Sequence, residues 1–217
     1  MTRWFLTAVL VLSACTQQEQ QKQPAERSQP EVRSVEQTTV IKPDGRPRRA
    51  LLSIPALGLR DLPVLPYRGW TDDAPGTAIQ DRGVAASPFG PRGGVGPGGI
   101  GNYQVTAHRT SSTKAFLDLP SLETGDRVIV RSGDTRYVYE ITTTRETSFR
   151  SARSLAEQRA AVPGRPGEPP TQPMITLSTC ATQEDHAKGN FWSDEFKNPE
   201  HRIDKIGVLV RVVRGGA

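Results

Sequence analysis

From residue 49 onward, short runs rich in β-branched and aromatic residues are separated, mostly at close intervals, by Gly and Pro. Such punctuation leaves little room for long helices and is the sequence mark of an all-β barrel or sandwich. Strand candidates are Ala50–Ile54, Leu62–Leu65, Ile100–Thr106, Arg127–Arg131, Tyr137–Thr144, Met174–Ser178 and Ile206–Val213. The stretch Asp134–Ile141 alternates polar and apolar residues, as a strand with one wet face does. Only Thr113–Leu119 and Ser151–Ala161 read as short helices, the second broken at Pro163. Gly83–Gly99 and Pro163–Pro173 are too rich in Gly and Pro for regular structure and read as loops.

The chain ahead of residue 49 has a different texture. Arg3 carries one positive charge, and Trp4–Leu12 is apolar apart from Thr7. A helix of that run rises roughly 14–18 Å, too short for a bilayer core of about 30 Å. Its length and charge order are those of a secretory signal peptide. The run ends Leu12-Ser13-Ala14-Cys15, which resembles the bacterial lipobox, where small residues precede a cysteine that is lipidated and becomes the new N-terminus. The alternative is an ordinary export signal that contains a cysteine. The resemblance implies an acylated Cys15 with at least two chains, the number that stable attachment takes. Residues 15–48 then form a polar, Gln-rich linker that cannot bury enough apolar surface to offset ordering entropy. It reads as a disordered tether, on the order of 30 Å as a coil and about 100 Å extended. A folded part over 49–217 is thus expected at the extracytoplasmic face of the membrane, which suits a chain of 217 residues with one domain and tails. A net charge of +5 with no Lys/Arg block gives nucleic-acid binding little support.

Two cysteines exclude a disulfide scaffold and a Cys-rich zinc site. With Cys15 assigned to the membrane, Cys180 is the only thiol left, and a lone cysteine in an exported chain reads as a free reactive group. It ends the run Ile175–Cys180, so a sheet would hold it while leaving it open to a groove. A thiol of reference pKa about 8.5 needs a nearby imidazolium or guanidinium to supply thiolate at neutral pH. His108 also closes a β run and can protonate a leaving amine. His186 and His201 lie in the polar stretch Ala181–His201, read as a loop in which they are solvated or pack locally. Glu184, Asp185 and His186 with Cys180 are metal ligands on paper, but zinc asks for a second pair at fixed spacing, and none is present.

The segment TLSTC at 176–180 resembles the TLxTC signature of the sortases, cell-wall transpeptidases of Gram-positive bacteria. Gly99–Arg109 is similar to that family's strand ending in a His, with Ala107 where the family has Gly, and Ile54–Gly58 is similar to its IPALG opening. The three motifs stand in the family's order, with 72 residues from His108 to Cys180. The likeness covers roughly 49–214 and is closest to the actinobacterial class E type. It implies a sortase-like eight-stranded β-barrel with one or two short helices. It also implies Cys180 as nucleophile, His108 as acid, and an Arg at the start of the last strand that stabilises the oxyanion or holds the substrate backbone. Arg202 takes that place, although Asp204 and Lys205 intervene before the apolar residues, and Arg211 is the rival.

The implied reaction is cleavage of an LPxTG- or LAxTG-like sorting signal on a secreted protein, with transfer of the acyl group to a peptidoglycan or pilin amine. Some sortases bind calcium through acidic loops. Here the segment before the Cys180 strand offers only Glu157 and Glu168 amid Arg153, Arg159 and Arg165, so no metal or other cofactor is expected. An L,D-transpeptidase would place Ser-x-Gly before the cysteine and Arg two residues after it, and Ser178–Thr182 has neither. A non-catalytic lipoprotein binding module on the same barrel is the other alternative. The three intact reactive residues speak against it.

Overall fold

The computed structural model describes residues 43–215; the export segment 1–14, Cys15 and the tether up to residue 42 lie outside them. Eight strands close a barrel: β1 Ala50–Ile54, β2 Leu59–Arg68, β3 Ala85–Phe89, β4 Gly101–Thr106, β5 Arg127–Ser132, β6 Thr135–Ser148, β7 Pro173–Cys180 and β8 His201–Arg214. The order around the wall is β1-β2-β3-β4-β7-β8-β6-β5, with β5 returning to β1, so no strand edge is left unpaired. The pairs β2–β3 and β4–β7 are parallel and the rest antiparallel. Inward side chains, among them Leu52, Val64, Val105, Tyr139 and Leu177, fill the interior. The loop between β4 and β5 adds Phe116, Leu119 and Leu122 to that core.

Several elements differ from the sequence reading. Strand β3 lies inside Gly83–Gly99, expected to be loop. Its small residues carry no alternating pattern, and it exists through its parallel ladder to β2, from Val64↔Ala85 to Arg68↔Phe89. The remainder of that segment is irregular, and its glycines permit close backbone approach. A Cβ on Gly94 would collide with the Asn102 carbonyl, and one on Gly96 with the Arg46 carbonyl. Gly96 N–H donates to the Gly45 carbonyl at 2.7 Å, so residues expected to belong to the tether lie against the barrel.

Thr113–Leu119 forms turns rather than a helix, closing in a 3-10 turn at Leu119–Ser121 around Pro120. Helix α2, Ala152–Arg159, matches its expected span. Two further helices, α1 Ala74–Gln80 and α3 Thr182–Ala187, bring the α-helices to three among the described residues. Asp73 caps α1, its Oδ1 accepting from Gly76 N–H at 2.8 Å, and Pro75 stands in the first turn. Strand β8 begins at His201 rather than Ile206, so Arg202 is a strand residue.

The wholly buried Leu177 of β7 reports on barrel packing. Leu177→Ala should cost about 2–5 kcal/mol, seen as a lower urea midpoint at unchanged slope, whereas Ile100→Ala, at an exposed position, should stay within about 0.5 kcal/mol.

Candidate active site

Parallel neighbours end together. The β4–β7 ladder runs from Gly101↔Pro173 to Thr106↔Ser178, so the chain leaving β4 places Ala107, His108 and Arg109 beside Thr179 and Cys180. Side chains continue the ladder past its last rung. Thr179 Oγ1 donates to the Ala107 carbonyl at 2.8 Å, and Arg109 Nη1 donates to the Cys180 carbonyl at 3.3 Å. On the other side of β7, antiparallel β8 sets Arg202 directly opposite Cys180. Cysteine, histidine and arginine therefore meet at one end of the barrel. Arg211 pairs with Val138 and is exposed, nine residues or about 30 Å further along β8.

The thiol of Cys180 is half-buried, with Asn198 Oδ1 3.9 Å from Sγ. Burial pushes its pKa up. The Arg202 charge works against that, Asp72 and Asp194 reinforce it, and Arg109 opposes it again, leaving the thiol above its ordinary value. Asn198 has a fixed amide. Its Nδ2 donates to Asp194 Oδ2 at 3.0 Å, which turns Oδ1 toward the sulfur. The imidazole of His108 engages an acid, with Nε2 2.8 Å from Asp81 Oδ1. That contact leaves Nδ1 as the ring nitrogen available for proton transfer.

Arg202 is 1% exposed. Its Nη1 donates to the Pro199 carbonyl at 2.7 Å and the His201 carbonyl at 3.2 Å, and its guanidinium carbon lies 4.0 Å over the Phe149 ring. Nε is 3.3 Å from Asp72 Oδ1, an ion pair by distance, but the N–H is not aimed at the oxygen. Nη2 and Asp72 Oδ2 are buried with no hydrogen-bond partner among the described residues. Burial opposes the charge, yet Asp72, the Cys180 sulfur and Asp194 more than offset it and hold the Arg202 pKa above its usual value.

Asp204 and Lys205, which stand between Arg202 and the apolar part of β8, are absorbed by polar partners. Asp204 accepts from Thr147 Oγ1 at 2.5 Å and Gln158 Nε2 at 3.0 Å, and burial raises its pKa. Lys205 Nζ donates to the Leu122 carbonyl at 2.6 Å and Thr144 Oγ1 at 2.9 Å, and burial lowers its pKa. The remaining histidines pack the 181–201 segment. His201 Nδ1 is 2.7 Å from the buried Asp185, and the His186 ring stacks at a tilt on Phe191. Among the described residues, no three His, Cys, Asp or Glu side chains gather as a metal site.

The Sortase domain profile matches residues 52–192, well over half of the chain and inclusive of His108 and Cys180. The chain belongs to the sortase family. That places it among transpeptidases. Solved sortases share its fold at low identity: the SrtA sortase of Actinomyces oris at 19% identity and TM-score 0.57, covering 80% of this chain and 86% of that one; sortase E1 of Streptomyces coelicolor, with a tripeptide in its active site, at 22% and 0.57, covering 80% and 94%; and sortase E of Streptomyces avermitilis at 24% and 0.55, covering 78% and 91%. No curated protein matches the chain. Sortases act at the cell surface. Among the described residues of this one, no helix is long and apolar enough to cross a membrane.

Four residues of this candidate site had no clear mark in the sequence: Asp72, Asp81, Asp194 and Asn198. Asp73 is a recognisable helix cap, but Asp72 beside it has its partner 130 residues away.

Arg109 also binds both Glu184 oxygens, tying α3 to the end of β4. Hydrogen bonding from Arg109 holds the Glu184 carboxyl below its ordinary range. The pairing therefore stabilises the fold above the unfolded carboxyl value of about 4.3 and is lost as pH falls through the depressed folded value. Glu184→Gln should lower the melting temperature at pH 7, and the difference from the parent should shrink toward zero in scans at pH 3.

Proposed function

We propose that this sortase is a cysteine transpeptidase that cleaves an LPxTG- or LAxTG-like sorting signal through a thioacyl-enzyme on Cys180. The observation that carries the reading is the convergence of strand ends: Cys180 opposite Arg202 across β7–β8, and His108 leaving β4 beside it. The Cys180 S–H gives its proton to His108, which Asp81 holds through Nε2. The thiolate adds to the Thr carbonyl carbon, and Arg202 offsets the charge that develops on the oxygen. The Thr–Gly C–N bond then breaks as His108 protonates the departing Gly amine, leaving a thioester. An acceptor amine from peptidoglycan or a pilin Lys attacks that thioester, His108 takes its proton, and the Cys180 thiolate departs. A thiol held protonated by its surroundings suits this sequence, because the proton that the leaving group needs starts on sulfur.

The test uses the full-length chain in detergent with LPxTG, LAxTG and scrambled peptides, followed by intact mass. An acyl adduct on Cys180 is expected, absent in Cys180→Ala and converted to a ligated product by glycine or diaminopimelate. His108→Ala should slow adduct formation about 10²–10⁴-fold. Failure of every sorting peptide, while iodoacetamide still alkylates Cys180, would hand the barrel to a binding role or to another thiol chemistry.

The proposal includes a lipid anchor on Cys15 that keeps the enzyme at the outer membrane face. Cys15→Ser should move the chain from the membrane fraction to the soluble fraction of cells, and unchanged membrane retention would refute the anchor.

A further inference from the structure

Asp72 lies in the turn between β2 and α1 with φ of +60°, a left-handed backbone that a side-chain-bearing residue adopts at a cost. Its surroundings leave it little alternative. The Thr71 hydroxyl donates to Gln158 Oε1 at 2.8 Å, and its carbonyl accepts from Arg159 Nη2 at 3.0 Å. On the other side, Asp73 accepts from Trp70 and Gly76 N–H groups to cap α1. A strained residue fixed from both sides is characteristic of a position whose side chain matters. Here the strain delivers a carboxylate, 7% exposed, to a guanidinium that is itself 1% exposed.

Most places around Arg202 are taken. Backbone carbonyls of Pro199 and His201 hold Nη1, Phe149 covers the guanidinium face, and Asp72 stands at Nε. Nε is met by the Asp72 charge without a hydrogen bond, and Nη2 has neither, on the residue that faces Cys180 across the β7–β8 ladder. A buried pair serving only stability would be expected to fill its hydrogen bonds. This one leaves Asp72 Oδ2 and Arg202 Nε and Nη2 without hydrogen bonds among the described residues. We infer that Asp72 is a positioning residue, which fixes Arg202 so that Nη2 remains free to donate to the acyl oxygen formed at Cys180. The inference rests on the transpeptidase reading and adds to it a residue outside the cysteine, histidine and arginine set. Thr71, Gln158 and Arg159 hold Asp72 in place.

Asp72 disfavours the charged thiolate and favours the charged guanidinium, which gives the test its signature. The charged groups acting on Cys180 are Arg202 and Arg109, which favour thiolate, and Asp72 and Asp194, which disfavour it. Asparagine tolerates left-handed backbone, so Asp72→Asn removes the charge while keeping the turn. In the full-length chain in detergent, Asp72→Asn should lower the pH midpoint of Cys180 alkylation by iodoacetamide. It should nevertheless reduce kcat for the sorting peptide about tenfold or more, with KM changed far less. Asp72→Glu should restore the alkylation midpoint. Gln158→Ala, which frees Thr71, should reduce kcat in the same sense; it also unpairs Ser178 and Asp204 and lowers the melting temperature, so its kcat is read well below that temperature, where it keeps the question open to measurement should Asp72→Asn fold poorly. An increase in kcat for Asp72→Asn would make Asp72 a brake and overturn the assignment, as would an unchanged kcat. If the parent chain acylates no peptide, the transpeptidase reading fails on its own. The alkylation arm still decides whether Asp72 acts on the site, and an unmoved midpoint overturns the inference.

Discussion

Two parallel strands become neighbours only when the chain crosses over between them, and the β4–β7 pair is the crossover on which this site depends. Between them the chain builds β5, β6 and α2, then returns so that residues 72 positions apart leave the wall side by side. Both strands are buried almost throughout, so a slip of one residue would turn core side chains outward and misplace Cys180 at once. The Thr179 hydroxyl on the Ala107 carbonyl and the Arg109 guanidinium on the Cys180 carbonyl lock the register where the ladder ends. Antiparallel β8 adds the third residue simply by pairing. Arg202 faces Cys180 because that is its rung.

Placing a guanidinium there carries an electrostatic consequence. A charge that is almost wholly buried must be compensated, and Arg202 is compensated by Asp72, Asp194 and backbone carbonyls. Those same carboxylates oppose ionisation of the sulfur, and together with burial they outweigh the help that Arg202 gives. The site therefore stabilises its arginine at the thiol's expense. In the proposed reaction His108, oriented by Asp81 through Nε2, resolves this, since a base beside the thiol turns an unfavourable ionisation into a short proton transfer.

What the sequence displays is what depends on local pattern. TLSTC reads as a strand ending at its cysteine because its side chains alternate, and α2 reads as a helix because nothing interrupts it before Pro163. Hidden features are those whose partners are remote. Strand β3 is composed of Ala, Ser and Pro, and only its ladder to β2 makes it a strand. The start of β8 is hidden because Asp204 and Lys205 stand before its apolar residues, and their partners Thr147, Gln158, Thr144 and the Leu122 carbonyl are remote in sequence. Asp72 and Asp81 come from one connection, β2 to β3, yet they serve residues on β8 and after β4. No spacing rule links either acid to its cation.

One side chain shows why these remote parts cohere. Gln158 of α2 accepts from the Thr71 hydroxyl, and its Nε2 donates to Ser178 Oγ and Asp204 Oδ1. It thereby joins the turn that carries Asp72, the strand that carries Cys180 and the strand that carries Arg202. Every polar atom of this buried amide group is spent, and a satisfied network in a low-dielectric interior is stiff. Stiffness is what an oxyanion donor requires, because a dipole or charge already in place needs no reorganisation when the substrate's charge develops. The barrel alone aligns the strand ends. It is the polar bracket built on α2, far along the chain from Asp72, that turns alignment into a fixed arrangement of thiol, guanidinium and carboxylate.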